Sequence, residues 1–180
     1  MSVLRSLLLA VLTAAALIAA VVVGRVSIAA ASAATPAPAA AHRCGDDAIA
    51  VSATGTQGAA GHSSFTLEFQ NISGVRCTLR GYPGLDAIGK QGHVLAHAKR
   101  QLHGITGGAS RIRTILVRPG RFASANVGWA NAAPNGGDCR FSKSVNATPA
   151  GTAYTVHLAK SVSICDLEVH PTVAGRSGQS

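Results

Sequence analysis

Three histidines occur close together in a Gly-rich, basic stretch: His93, His97 and His103. Neutral imidazoles are common ligands of zinc and copper, so three of them held close together would form a metal site. Their spacing matches neither one face of a helix nor an H-E-x-x-H motif, and the nearest acidic residue is Asp86. We therefore expect a solvated basic loop and no cofactor, with an extracytoplasmic metal-binding protein as the alternative function.

Basic residues in and after this stretch form a second group that suggests a function. The chain has a formal net charge of +9, which favours anionic partners. Nucleic acid is not expected, because bases stack on aromatic side chains and none lies between Tyr82 and Phe122. The expected partners are an anionic cell-wall polymer, a lipid head group or an envelope protein. The residues predicted to bind anions are Lys99, Arg100, Arg111 and Arg113.

Catalysis is not indicated by any arrangement of residues in the sequence. There is no Gly-x-Ser-x-Gly nucleophile turn, and the seven acidic residues offer no obvious carboxylate pair. The run Gly61-His62-Ser63-Ser64 is more typical of a turn than of an active site. We predict that the protein is not an enzyme and has no catalytic residue. A hydrolase is the least supported alternative, and it stays open only because a triad assembled in space leaves no mark in the sequence.

The four cysteines, Cys44, Cys77, Cys139 and Cys165, indicate disulfides in an exported chain. No C-x-x-C spacing occurs, which argues against zinc and thioredoxin-like sites. Four cysteines allow three pairings. An antiparallel pair formed by the strand after Cys44 and the strand that ends near Asn71 would bring Cys44 and Cys77 to one end of the sandwich. Cys139 and Cys165 would bracket a hairpin, so we predict Cys44–Cys77 and Cys139–Cys165.

The N-terminal segment has the composition of an export signal. Arg5 precedes the uncharged apolar run Leu7–Val23, and small residues follow at 31–33. We expect residues 1–33 to be a cleaved signal peptide, although the run is close to the lower limit for spanning a bilayer and Arg25 would suit an uncleaved anchor. The Pro/Ala-rich residues 34–43 are an expected linker. The predicted location is secreted or cell envelope, with a membrane anchor if the leader is retained and no lipid anchor.

Strands must position these residues, because beyond the leader the apolar residues alternate with polar ones. Phe65, Leu67 and Phe69 mark the clearest half-buried strand, and the alternation over 123–129 places Trp129 on the core face. Residues 44–173 therefore predict an immunoglobulin-like antiparallel β-sandwich of about seven or eight strands. The other expected strands lie at 48–52, 77–80, 85–88, near 94–95, at 112–117, 154–158 and 162–169.

Two segments are expected to lack regular structure. Residues 90–110 are Gly-rich and polar, and beyond the weak strand at 94–95 they predict a long exposed loop. Residues 174–180 predict a flexible tail. The oligomeric state is not predicted.

Several short runs of the domain also recur together in a known family. They resemble exported actinobacterial domains of unknown function, the family DUF4232, over roughly Cys44–Val173. The resemblance implies an exported β-sandwich, often behind a signal or a lipid anchor, and implies no activity and no site. The runs that carry it are Leu67-Glu68-Phe69-Gln70-Asn71, Cys77-Thr78-Leu79-Arg80-Gly81-Tyr82-Pro83-Gly84, Arg118-Pro119-Gly120, Trp129, Cys139 and Cys165.

Overall fold

The computed structural model describes residues 41–180 of the chain. These residues belong to one compact unit, Ala39–Ser180. The predicted leader, residues 1–33, and most of the predicted linker, residues 34–43, lie outside the described residues. Residues 41–180 contain no helix, and hence none long and apolar enough to cross a membrane. The described part of the chain is all-β, as the alternating pattern predicts.

Thirteen strands form in the described residues and are arranged in three sheets. Their bounds are β1 Ile49–Ala53, β2 Gln57–Ala59, β3 His62–Asn71, β4 Cys77–Arg80, β5 Gly84–Ile88, β6 Val94–His97, β7 Lys99–Arg100, β8 Thr114–Val117, β9 Phe122–Ala130, β10 Ser144–Thr148, β11 Val156–Leu158, β12 Glu168–Val169 and β13 Val173–Ala174.

The largest sheet has seven strands in the order β1-β3-β9-β12-β7, with β2 beside β3 and β13 beside β9. Its centre is the antiparallel pair β3–β9, which runs from His62 opposite Ala130 to Gln70 opposite Phe122. These are the two strands with the clearest alternation in the sequence, and their apolar side chains are buried. Alternation therefore fixes which face of the sheet looks into the core.

The second face of β9 is also buried, which alternation alone does not predict. Ser124 and Asn126 point away from the apolar core and yet are 0% and 3% exposed. Gly128 shares this face, and a Cβ atom there would overlap the Thr106 hydroxyl. The loop between β7 and β8 and the residues after β13 cover this side. The central strand thus lies between an apolar core and a polar layer.

A four-stranded sheet in the order β11-β10-β5-β6 and the two-stranded sheet β4–β8 complete the fold. The strand pairs in both are antiparallel. The sequence analysis missed β10, because only Val145 and Ala147 mark its buried side and the other positions are small and polar. Two alternating apolar residues are too few to distinguish a strand from a loop.

One cluster of buried side chains, drawn from all three sheets, forms the core. Leu67, Leu79 and Val145 represent the three sheets in it, and all are fully buried. Trp129 belongs to this cluster, as predicted, and its ring centroid lies 5.8 Å from that of Phe65. Burial of each large apolar side chain stabilises the fold by about 1.5–3 kcal/mol.

Both predicted disulfides are present, and no free cysteine occurs among the described residues. Cys44–Cys77 joins the residues before β1 to the start of β4 and closes a separation of 33 residues. Cys139–Cys165 brackets the β10–β11 hairpin over 26 residues. The pairing argument from strand direction therefore gives the connectivity found in the structure.

Residues 162–169, predicted as one strand, form only the short strand β12 at their end. Two features interrupt the run. Ser163 forms an isolated bridge with Phe141, and Asp166 has a φ of 47°. A left-handed residue cannot continue an extended strand, so the chain turns after Cys165 and pairs again only at Glu168.

Candidate functional site

The four basic residues predicted to bind anions lie in two separate pairs. Lys99 and Arg100 form β7, an exposed strand that runs parallel to β12 at an edge of the seven-stranded sheet. Lys99 Nζ donates to Asp166 Oδ1 at 3.2 Å, so an acidic neighbour already compensates its charge. Arg111 and Arg113 lie further along the chain, just before β8. Lys99 and the pair Arg111 and Arg113 line two different cavities.

Arg111 and Arg113 line a cavity of about 320 Å³, here called the basic groove. Both side chains are exposed. None of the described residues that line the groove is acidic, and the wall beside the two guanidinium groups is largely apolar. The other lining residues are Ile115, Thr172, Val173, Ala174, Gln179 and Ser180.

Glycines determine the path of the chain that leads into the basic groove. Gly104 and Gly107 exchange backbone hydrogen bonds of 3.2 and 3.1 Å, which close a tight turn. Gly107 and Gly108 have φ angles of 96° and 108°, a backbone region that favours glycine. A Cβ atom at Gly108 would also overlap the imidazole of His170. The loop predicted to be long and exposed is therefore packed against the sheet, and Ala109 within it is fully buried.

The C-terminal residues form another wall of the basic groove. Composition predicts a flexible tail over 174–180, whereas in the structure Val173–Ala174 pairs with β9 and the following residues pack against the domain. Gln179 Oε1 accepts a hydrogen bond from Gly108 N at 2.6 Å, and Ser180 Oγ accepts one from Ser110 N at 3.3 Å. These bonds join the segment to the loop that carries the two arginines.

Arg176 fixes this segment to the seven-stranded sheet. Its guanidinium group donates to both carboxylate oxygens of Glu68, at 2.9 and 2.8 Å. The Glu68 side chain is 8% exposed, so the bidentate pair satisfies a nearly buried charge. The same guanidinium group lies 4.1 Å from the centroid of the Phe122 ring. Serine and glycine dominate the sequence around Arg176, and nothing in the chain's local pattern reveals these distant partners.

Polar groups on the covered face of β9 complete the surroundings of the groove. Thr106 Oγ1 donates to Asn126 Oδ1 at 3.0 Å, and Gly178 N donates to Ser124 Oγ at 2.9 Å. Thr172 lines the groove, and its buried hydroxyl has no hydrogen-bond partner among the described residues. A buried hydroxyl without a partner is destabilising unless a ligand or solvent satisfies it.

A second pair of arginines, which the sequence analysis did not select, lines another cavity. Arg43 and Arg80 border about 320 Å³ of space beside β4, and Thr78 and Thr114 contribute hydroxyl groups to its walls. Its arginine content and size match those of the basic groove, but its walls are polar. The two cavities form a natural pair for comparison.

A smaller cavity of about 160 Å³ lies between β12, β7 and β9. It is lined in part by Lys99, Asp166 and Glu168, so charges of both signs face one another within it. Glu168 Oε1 lies 3.3 Å from Nε2 of the fully buried His170. The carboxylates here are engaged by the protein's own basic groups.

The histidine loop does not form a metal site in the structure. The described residues contain no group of three or more His, Cys, Asp or Glu side chains placed to hold a metal ion. His97 Nδ1 lies 2.6 Å from Asp86 Oδ1, while His93 packs near Gly89. His103 lies one residue before the tight turn at Gly104. The structure therefore does not bring His93, His97 and His103 together as a set of ligands.

Comparison with known proteins gives one match. Residues 44–177 match the model of a family described as a domain of unknown function, DUF4232. No curated protein and no solved structure matches the chain.

Proposed function

We propose a function for this chain, which belongs to the DUF4232 family of domains of unknown function. In this proposal it is an extracytoplasmic, non-enzymatic binding module for an anionic lipid. Two disulfides support an oxidising compartment, because cytosolic thiols are kept reduced. The apolar leader in residues 1–33 also supports export, because it has the composition of a secretory signal.

The scaffold proposed for this module is the immunoglobulin-like sandwich. A single core cluster drawn from three sheets supports layered packing, and the antiparallel pairing of most strands agrees with it. The domain boundaries we propose are a leader at 1–33, a linker at 34–43 and a binding domain from residue 44. Such a scaffold presents loops and short strands at its surface, which is where Arg111 and Arg113 lie.

The composition of the basic groove is the observation that supports this proposal most directly. Arg111 and Arg113 border it without any acidic residue among the described lining, so their charges are available to an anion. Guanidinium groups bind phosphate through paired hydrogen bonds. The apolar wall formed by Ile115, Val173 and Ala174 favours a ligand whose phosphate is joined to an apolar part. A phospholipid has this chemistry, whereas an anionic wall polymer would leave the apolar wall uncovered.

The proposal is tested with the double variant Arg111→Ser/Arg113→Ser and vesicles that contain phosphatidylglycerol. A basic residue near an anionic membrane surface contributes about 1 kcal/mol, so loss of both predicts about 30-fold weaker binding in co-sedimentation. The matched control is Arg43→Ser/Arg80→Ser, which removes the same charge from a cavity of equal volume with polar walls. Equal losses in the two variants would show adsorption by net charge and would refute a specific groove.

Soluble probes separate the possible sources of the phosphate. A short-chain phosphatidylglycerol below its micelle concentration should bind in calorimetry, and inorganic phosphate should bind more weakly because it leaves the apolar wall exposed. Binding to isolated cell wall that is insensitive to Arg111→Ser/Arg113→Ser, with no heat from the short-chain lipid, would contradict the lipid assignment.

A further inference from the structure

Strand β1 is an open edge of the seven-stranded sheet. Among the described residues, β3 is the only strand that β1 pairs with. Ile72 N donates to Ala48 O at 2.9 Å, and Thr54 N donates to Thr66 O at 3.0 Å. Hydrogen-bonded residues alternate along an antiparallel pair, so the even-numbered positions of β1 bond to β3. The backbone N–H and C=O groups of Ile49, Val51 and Ala53 therefore point outward, toward the free edge.

This edge carries none of the features that normally block strand addition. Exposed edges are usually protected by charged side chains, proline or a bulge. The sequence of β1 is IAVSA, and its pairing with β3 runs over five residues without a register shift. The edge is therefore chemically competent to pair with another extended chain.

A largely apolar groove runs beside this edge, and it is here called the acidic groove because Asp46 and Asp47 line it. Its volume is about 520 Å³, and β1 and β11 contribute to its walls. Ile72 and Tyr154 are 60% and 48% exposed, which leaves apolar surface open to a partner. The lining residues are Asp46, Asp47, Ile49, Ala50, Val51, Ile72, Tyr154 and Val156.

Charge at this groove opposes the charge of the protein as a whole. Asp46 and Asp47 are the only acidic or basic residues among its described lining, in a chain of formal net charge +9. Asp46 Oδ1 accepts a hydrogen bond from Ala153 N at 2.8 Å, which holds this carboxylate at the end of the groove. An occupant with a basic residue at this end is favoured over a neutral or acidic one.

We propose that the acidic groove binds an extended peptide segment of another protein as an added strand on β1. The peptide backbone would pair with Ile49, Val51 and Ala53, as in other cases of strand addition. Apolar side chains at every second position would occupy the groove, and a Lys or Arg would lie against Asp46 and Asp47. This site is distinct from the basic groove and does not depend on lipid binding.

A second copy of the same chain fits the groove less well than such a peptide. Edge-to-edge pairing of two copies would place one β1 against another, and β1 contains no basic residue. The carboxylates of Asp46 and Asp47 would then have no partner from the added strand. Charge complementarity thus favours a basic peptide from a different protein.

The full-length chain is tested with a fluorescent, end-blocked peptide of two lysines followed by alternating valine and threonine. Binding should raise its anisotropy, and hydrogen exchange followed by NMR should show the amides of Ile49, Val51 and Ala53 slowed by about tenfold or more. The same peptide with its lysines changed to glutamate should bind much more weakly. Peptide binding without slowing of these three amides would overturn the proposal.

Val51→Pro is the sharpest variant, because the N–H that it removes points away from β3. Proline is tolerated on edge strands where its missing N–H faces outward. The affinity for the lysine peptide should fall about tenfold with the loss of a backbone hydrogen bond. Changes in the NMR spectrum should stay local to residue 51 and the core side chains that it packs against, which would show that the fold is retained. Unaltered affinity in this variant would rule out pairing with β1.

Asp46→Asn/Asp47→Asn provides a second test that does not alter the backbone. It should lower the affinity for the lysine peptide by about fivefold, as expected for the loss of exposed charge pairs. The control Asp138→Asn/Asp166→Asn removes the same charge from residues that do not line the groove. Equal effects in the two variants would contradict the proposal. So would amides of β1 that are already protected from exchange in the free chain, whether by a second copy or by the chain's own N-terminal segment.

Discussion

The basic groove and the acidic groove belong to one compact domain, yet they are built from different parts of the chain. In the basic groove the binding groups are the side chains of Arg111 and Arg113, and their position depends on glycine turns and the C-terminal segment. In the acidic groove the binding groups are mainly backbone atoms of β1, assisted by Asp46 and Asp47. The comparison teaches that the net charge of a protein does not determine the partner of each site on it.

Loss of the Cys44–Cys77 disulfide should separate the two grooves most strongly. Closure of 33 residues predicts a loss of about 3.5 kcal/mol in the free energy of unfolding for Cys44→Ala/Cys77→Ala, measured in urea. Only Gly45 separates Cys44 from Asp46 and Asp47, so peptide binding should weaken more than lipid binding. The control Cys139→Ala/Cys165→Ala removes the other disulfide, which closes 26 residues. It should cost a similar free energy of unfolding without weakening peptide binding more than lipid binding. Equal weakening at both grooves would show that they share one cooperative support.

Gly108→Ala should have the opposite selectivity. The new Cβ would overlap His170 at a φ of 108°, so we expect a loss of about 3 kcal/mol from strain and overpacking. Lipid binding should fall because the loop that leads to Arg111 is displaced, and peptide binding should persist. Gly136→Ala is the control, because Gly136 has a φ of 77° but open space around its Cβ position. A cost as small as that of the control would mean that the loop adapts easily.

Arg176→Ala tests the C-terminal wall with a smaller effect. It removes the bidentate pair with Glu68 and the contact with Phe122. We expect a loss of about 2 kcal/mol, because the nearly buried Glu68 carboxylate loses its charged partner and keeps the hydrogen bond from the Ser52 hydroxyl. Lipid affinity should decrease severalfold, since Gln179 and Ser180 would no longer be held at the groove. Peptide binding at β1 should be unchanged, and Arg118→Ala serves as a surface control. Unchanged lipid binding would show that the C-terminal segment does not contribute to the lipid site.

Local periodicity identified the two central strands β3 and β9, but it missed strands such as β7 and β10 and misplaced the bounds of β12. Phe65, Leu67 and Phe69 alternate because one face of β3 contacts the core, so the pattern carries the information directly. Strands β7 and β12 have two residues each and are defined by their pairing, β7 with β12 and β12 with β9. Their positions depend on contacts between residues far apart in the chain, which no local window contains.

The candidate sites were predictable in residue type but not in grouping. The sequence grouped Arg111 and Arg113 with Lys99 and Arg100. In the structure Arg111 and Arg113 line the basic groove, whereas Lys99 lies beside Asp166. Arg43 and Arg80 were missed because they are brought together by contacts between distant parts of the chain. The Thr78 hydroxyl donates to the backbone carbonyl of His42, which lies 36 residues earlier. The acidic groove depends on which strand ends up at an edge, and edge status is a property of topology alone.

The pairing of Arg176 with Glu68 spans 108 residues, and this separation has a consequence for how the protein matures. In the proposed export, a chain that emerges from its N-terminus can form the β1–β3 pair and the Cys44–Cys77 bond in the oxidising compartment before later residues have emerged. The polar cover of β9 must wait until residue 176 has emerged, and contacts of such long range slow the final step of folding. The walls of the acidic groove end at Val156 and those of the basic groove at Ser180, so the acidic groove can form first and its partner would meet the protein at an earlier stage of maturation.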